Sequence, residues 1–163
     1  MKLVLHPIGI IRTPFKNSDG VPIQSSKSKE LGQAEVDFEY VEGLQSLDGF
    51  SHIFLLYWFH KSKVPTMQVK PFLDTKTHGL FSTRAPTRPN PIGFSIVAIE
   101  RVEDNVIYFR GADMLDGTPL LDIKPFVPEF DNRPEATSGW LVTSKIRENH
   151  DYQSDERFEK DSQ

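Results

Sequence analysis

The sequence predicts a mainly β protein, an antiparallel barrel or sandwich rather than a Rossmann sheet, with long loops and few short helices. Apolar residues alternate with charged ones in short runs, the period of a half-buried strand. The runs are joined by Pro-, Gly- and Ser-rich connections rather than by helical crossovers, which favours antiparallel pairing. Neither a Gly-x-Gly-x-x-Gly fingerprint nor a P-loop occurs in the 163 residues, so a dinucleotide fold and a nucleoside triphosphatase are both disfavoured.

The first strand is expected within Leu3–Ile11, which is rich in branched aliphatics, with Pro7 marking an edge or a bulge. Ala34, Val36, Phe38 and Tyr40 alternate with Glu35, Asp37 and Glu39 and predict the second. Ile53–Phe59 is apolar on both faces, as a fully buried central strand would be. Phe94–Val102 and Val106–Ala112 flank Glu103-Asp104-Asn105 and read as a hairpin. Gly79–Thr83, Leu120–Phe126 and Trp140–Lys145 are shorter strand candidates. Asn17–Gly32 and Pro65–His78 are the long connections, and long loops in a compact domain are often functional.

One domain over residues 1–147 is expected, with 148–163 a charged, loosely attached tail. There is no cysteine, which removes disulfides and thiolate metal sites, and the five histidines lack metal-ligand spacing, so no metal is expected. The amino terminus has no signal-peptide pattern and no stretch is long enough for a membrane span, which predicts a soluble, cytoplasmic protein. The net charge is −4. Six acids against two bases from Glu148 onward account for all of it, leaving Met1–Arg147 neutral. Within that neutral body, Lys61, Lys63, Lys70, Lys76, Arg84 and Arg88 face only Asp74, a local positive excess that suits a polyanion.

Two polar segments stand out. Arg84-Ala-Pro-Thr-Arg88-Pro-Asn90-Pro-Ile-Gly93 holds three X-Pro bonds, which exclude a helix and stiffen the loop. Its guanidinium groups either face water from a rigid connection or hold a carboxylate, a phosphate or a nucleobase edge. The second segment is Asp113-Met-Leu-Asp116-Gly117-Thr-Pro119, running on to Asp122-Ile-Lys124-Pro125. Asp116-Gly117 is a turn pair, whereas Asp113, Asp122 and Lys124 need partners where strand ends are buried, either one another or Arg84 and Arg88. His60 closes the most apolar strand, at a position that fits either a structural or a catalytic role.

These motifs, with Ile8-Gly-Ile-Ile-Arg12-Thr-Pro-Phe15, Leu47-Asp-Gly-Phe-Ser-His52 and Leu56-Tyr-Trp-Phe-His60, resemble the TsaA-like family. That family comprises the S-adenosylmethionine-dependent methyltransferases of threonylcarbamoyladenosine in tRNA. The resemblance runs from Ile8 to Phe126 and rests on five motifs in the same order. It implies a small antiparallel β-barrel, methylation of the N6 nitrogen of the modified adenosine beside the anticodon, S-adenosylmethionine as cofactor, the tRNA anticodon stem-loop as partner, and a homodimer. It places cofactor contacts on Pro22, Ile23, Gln24, His60, Lys61, Arg84, Phe94, Met114, Leu115, Asp116 and Gly117. Asp113, Asp116, Asp122 and His60 are unranked candidates for the group that takes the acceptor's proton. Lys61, Lys63, Lys70 and Arg88 are the expected RNA contacts. The chain departs from many bacterial relatives in having only a charged tail where they carry another domain, and in Ile23 where arginine is frequent. Two alternatives share these residues: a barrel that senses S-adenosylmethionine without methyl transfer, and a cofactor-free nucleic-acid-binding barrel.

Overall fold

The computed structural model describes residues 3–144 and 151–159. Strands β1 (Gly9–Arg12), β2 (Leu31–Val36), β3 (His52–Trp58), β6 (Ile92–Glu103), β7 (Val106–Arg110) and β8 (Thr118–Pro125) close into an antiparallel barrel in the order β1-β2-β7-β6-β3-β8. Strands β4 (Gln68–Val69) and β5 (His78–Gly79) form a separate two-stranded ribbon. Helix is confined to α1 (Pro128–Asp131) and short 3₁₀ turns. Of the barrel and sandwich that the strand pattern allows, the fold observed is the barrel that the family resemblance implies.

Inward residues of all six barrel strands fill the interior. Ile11, Ala34, Val36, Ile53, Leu55, Val97, Ile107, Phe109 and Leu120 are almost wholly shielded from water. Closure leaves no room for a side chain where β1 meets β2: a Cβ on Gly9 would lie 2.1 Å from the Glu35 carbonyl oxygen. The β6–β7 hairpin turns through Asp104-Asn105, with Asp104 at φ 51°. Asn105 then ties the turn to β2, its Nδ2 donating to the Val36 carbonyl at 2.8 Å.

Several strand expectations are corrected. β1 begins only at Gly9, and Leu3, Val4 and Leu5 before it are exposed. β2 stops at Val36, because the Asp37 amide bonds back to Ile8 and Phe38–Leu44 coils into a 3₁₀ helix, leaving Phe38 79% exposed. β3 is central, paired to both β6 and β8, yet only its inward face is buried; Phe54, Leu56 and Trp58 face outward and are half-covered. Leu80–Ser82 and Gly139–Val142 are 3₁₀ turns rather than strands. Residues 145–147 and 148–150 lie outside the described residues. The described tail, 151–159, lies against the body instead of hanging loose: Gln153 bridges to Pro22 and Glu159 to Ser62. Among the described residues no helix is long and apolar enough to cross a membrane, and no cluster of acids and histidines could hold a metal ion.

Candidate cofactor site

The stiff loop after β5 presents Arg84 on a braced frame. Thr83 caps the preceding 3₁₀ turn through Oγ1, which donates to the Leu80 carbonyl at 2.8 Å. Arg88 folds back over the loop, its Nη1 donating to the carbonyls of Thr83 and Ala85 at 3.1 and 3.3 Å. Arg88 is therefore a brace, with its guanidinium 5.7 Å from the Phe81 ring centre. Arg84 is exposed. Its Nη1 donates to Gln24 Oε1 at 2.6 Å, and its guanidinium carbon sits 5.0 Å from the Phe94 ring centre. The first long loop, the proline-rich loop and the outer face of β6 thus meet at one place.

Asp113 completes this group from the chain that leaves β7. Gly111, at φ +100°, turns the chain under Ser25; its amide and that of Ala112 both bond to the Glu30 carbonyl, at 2.9 and 3.1 Å. The Asp113 carboxylate accepts from Ser95 Oγ at 2.6 Å, and Ser95 Oγ lies 2.9 Å from the buried Tyr57 hydroxyl. With Asp113 ionised, the protons of this chain orient from Tyr57 to Ser95 to the carboxylate. Burial pushes the Asp113 carboxyl up to about 7, against Ser95, the backbone amides and Arg84, which all favour the charge.

The other acid candidates have different surroundings. Asp116 accepts from the Thr13 amide at 3.1 Å and from Lys16 Nζ at 2.6 Å, and Lys16 first of all holds it below the usual carboxylate range. Asp122 pairs with Lys124 at 2.8 Å on β8, so these two charges satisfy each other and not the arginines. Burial, with Lys61 alongside, lowers the His60 imidazole, which is neutral near pH 7. Neither Asp116, Asp122 nor His60 bonds to Arg84, Gln24 or Asp113.

The Met114–Gly117 turn is a welded part of the barrel rim. Met114 is buried in the core, and its carbonyl accepts from Thr13 Oγ1 at 2.9 Å. The amides of Asp116 and Gly117 donate to the carbonyls of Phe15 and Ile11 at 2.7 and 2.9 Å. Both amides are therefore already engaged within the rim. Lys61 Nζ donates to the Lys16 carbonyl at 2.8 Å and lies 3.6 Å from Glu159, whereas Lys63 and Lys70 are exposed. Two surface hollows, of about 510 and 440 Å³, are lined by other residues, around Val41–Asp48 and around Arg12 and Tyr108. Ser95 and Tyr57 were not among the sequence candidates: each reads as an ordinary member of a strand, and only the β3–β6 pairing brings them to Asp113.

The model of the tRNA-methyltransferase O N-terminal domain matches residues 10–132, most of the chain. The chain belongs to that family. It is 49% identical over 142 residues to a probable S-adenosyl-L-methionine-binding protein of Pyrococcus abyssi, covering 86% of this chain and 77% of that one. It is 38% identical to the mouse tRNA (adenine(37)-N6)-methyltransferase over 80% of this chain but 32% of the enzyme. The crystal structure of TrmO from Pseudomonas aeruginosa superposes with a TM-score of 0.72 at 37% identity, covering 85% of this chain and 62% of that one. The family domain accounts for the barrel and the Arg84–Asp113 cluster, and the match ends before the segment 151–159.

Proposed function

We propose that the protein is an S-adenosylmethionine-dependent methyltransferase acting on the N6 nitrogen of threonylcarbamoyl-modified adenosine beside the tRNA anticodon. Membership of the TrmO N-terminal domain family supports it, as do relatives named for S-adenosylmethionine binding and for methylation of adenine 37. The observation that carries it is the meeting of Arg84, Gln24, Phe94 and Asp113.

The donor set fits the cofactor. Arg84 supplies a guanidinium for a carboxylate, already aimed by Gln24. Phe94 supplies a π-face suited to a sulfonium or an adenine ring. S-adenosylmethionine, when bound, supplies an electrophilic methyl group whose loss leaves a neutral thioether. The chain's tasks are in-line positioning and exclusion of water. The acceptor nitrogen carries a proton and is conjugated to the purine and the carbamoyl group. The proton that this nitrogen gives up on methylation would pass to the Asp113 carboxylate. Asp113 suits the task because its affinity for a proton is matched to neutral pH.

A second copy of the chain covers the outer face of β6. Ile92, Phe94 and Ile96 alternate along that face and are 37%, 47% and 36% exposed, a stripe beside Arg84 that a homodimer buries and that closes the open side of the site. RNA approaches over the exposed Lys63 and Lys70, with Phe81, 75% exposed and faced by Arg88, available to stack an unpaired base.

The test is incubation with labelled S-adenosylmethionine and tRNA carrying threonylcarbamoyladenosine, followed by digestion and mass spectrometry of the nucleosides. One added methyl on the modified adenosine is the expected product. Cofactor binding without transfer to any RNA favours the sensor reading, and RNA binding without cofactor affinity favours the cofactor-free barrel.

A further inference from the structure

The carboxy-terminal segment 151–159 lies beyond the family match and touches the Pro22–Gln24 loop, the chain after His60 and the small core beneath Arg84. It runs antiparallel to the first long loop. Gly20 and Ile23 donate their amides to the carbonyls of Ser154 and Tyr152 at 2.9 and 2.8 Å, and the Ser154 amide returns a bond to Val21 at 2.7 Å. Farther along, the Lys63 amide donates to the Phe158 carbonyl at 3.1 Å. One short segment thus joins the Pro22–Gln24 loop to the chain that follows His60.

Two side chains extend the connection. One oxygen of Glu159 accepts from both the amide and the hydroxyl of Ser18, at 3.0 and 2.6 Å, and the other lies 3.6 Å from Lys61 Nζ. Lys61 in turn bonds to the Lys16 carbonyl, and Lys16 to Asp116 of the rim turn. Phe158 packs into the small second core of Val69, Leu80 and Ala85, edge-on to Phe72 at 5.3 Å. Ala85 is the residue after Arg84, so the ring supports the base of the loop that carries the guanidinium. Long loops with small cores of their own open at low cost unless something joins them, and a partly buried carboxylate bonded by two donors and a lysine is such a joint.

We infer that Glu159 and Phe158 are positioning residues of the cofactor site, and that 151–159 is a clasp fixing the Gln24 loop relative to the Arg84 loop. This rests on the reading that S-adenosylmethionine binds beside Arg84. Neither side chain touches the cofactor; they reduce the ordering that binding must otherwise supply. Because coupling is reciprocal, the cofactor tightens the clasp as much as the clasp tightens the cofactor.

The experiment uses the full chain and its Glu159→Gln, Glu159→Ala, Phe158→Leu and Phe158→Ala variants. S-adenosylmethionine affinity is measured by calorimetry and amide exchange by mass spectrometry. Wild type binds, and the two alanine variants raise the dissociation constant about ten-fold, Glu159→Ala through a lost charge-assisted joint and Phe158→Ala through lost packing. The milder Glu159→Gln and Phe158→Leu, which keep most of the packing, fall between, so an unfolded alanine variant leaves a readable answer. In wild type the cofactor slows exchange at Ser154, a response that a merely structural tail does not give. Wild-type affinity in the variants, or exchange at Ser154 indifferent to cofactor, overturns the clasp while leaving the methyltransferase reading intact. Failure of wild type to bind overturns both.

Discussion

In the proposed reaction, Asp113 is the residue that takes the acceptor's proton. Its carboxyl titrates near 4 in an unfolded chain and at about 7 in the folded one, so the native state binds the extra proton between those values. Stability is therefore undiminished below about pH 4, falls as pH rises toward 7, and stays at the lower level above. Urea midpoints across that range should show the decline, and Asp113→Asn should flatten it while abolishing transfer. Ser95 favours the ionised form, so Ser95→Ala should move the inflection of the rate profile to higher pH; an unmoved inflection removes Asp113 as the proton acceptor. From sequence, Asp113 was one of four equal candidates. What separates it is burial beside Ser95 and the absence of a fixed counter-ion such as Lys16 gives Asp116, and both come from pairing between distant strands.

At the scale of elements, the barrel depends on close approaches that only glycine permits. Gly9→Ala would press a methyl group against the Glu35 backbone, which cannot swing aside as a side chain can. The variant should lose about 1–3 kcal/mol, as overpacked sites do, seen as a lower urea midpoint at unchanged slope. An unchanged midpoint would mean that β1 shifts freely and the barrel is not closed there. The β6–β7 hairpin was legible because two strand-like runs flank turn residues, and β3 because Ile53–Phe59 is one unbroken apolar run. Phe38 and Tyr40 misled for a physical reason: they continue the period of β2, but the strand has already turned at Asp37 and both side chains face water. The proline-rich loop was legible as a stiff frame; Arg88 as its brace was not, since sequence cannot distinguish a guanidinium that folds inward from one that faces a phosphate.

For the whole molecule, a body without net charge must bind RNA through local fields. Each exposed lysine that neutralises a phosphate adds about 0.9 to the slope of log affinity against log salt. Lys63→Ala should lower that slope by about 1, whereas Phe81→Ala should weaken tRNA binding with the slope unchanged; filter binding over a salt series decides, and a salt-independent complex would contradict the lysine contacts. Ile96→Glu places a charge in the apolar stripe of β6 and should turn a sedimenting dimer into a monomer. A wild type that sediments as a monomer would remove the second copy from the site. The acidic tail shows how far composition reaches: its charge was legible, but its docking depends on Glu159 finding Ser18 and Lys61 across the fold.

Calorimetric titration of S-adenosylmethionine into wild type and Arg84→Ala is the most direct test that the Arg84 cluster is the cofactor site. Wild type should bind one cofactor per chain, and the variant should bind at least about ten-fold more weakly, the loss of a charge-assisted pair. Equal affinity in the two proteins would place the cofactor elsewhere, and absence of binding to either would contradict the assignment altogether.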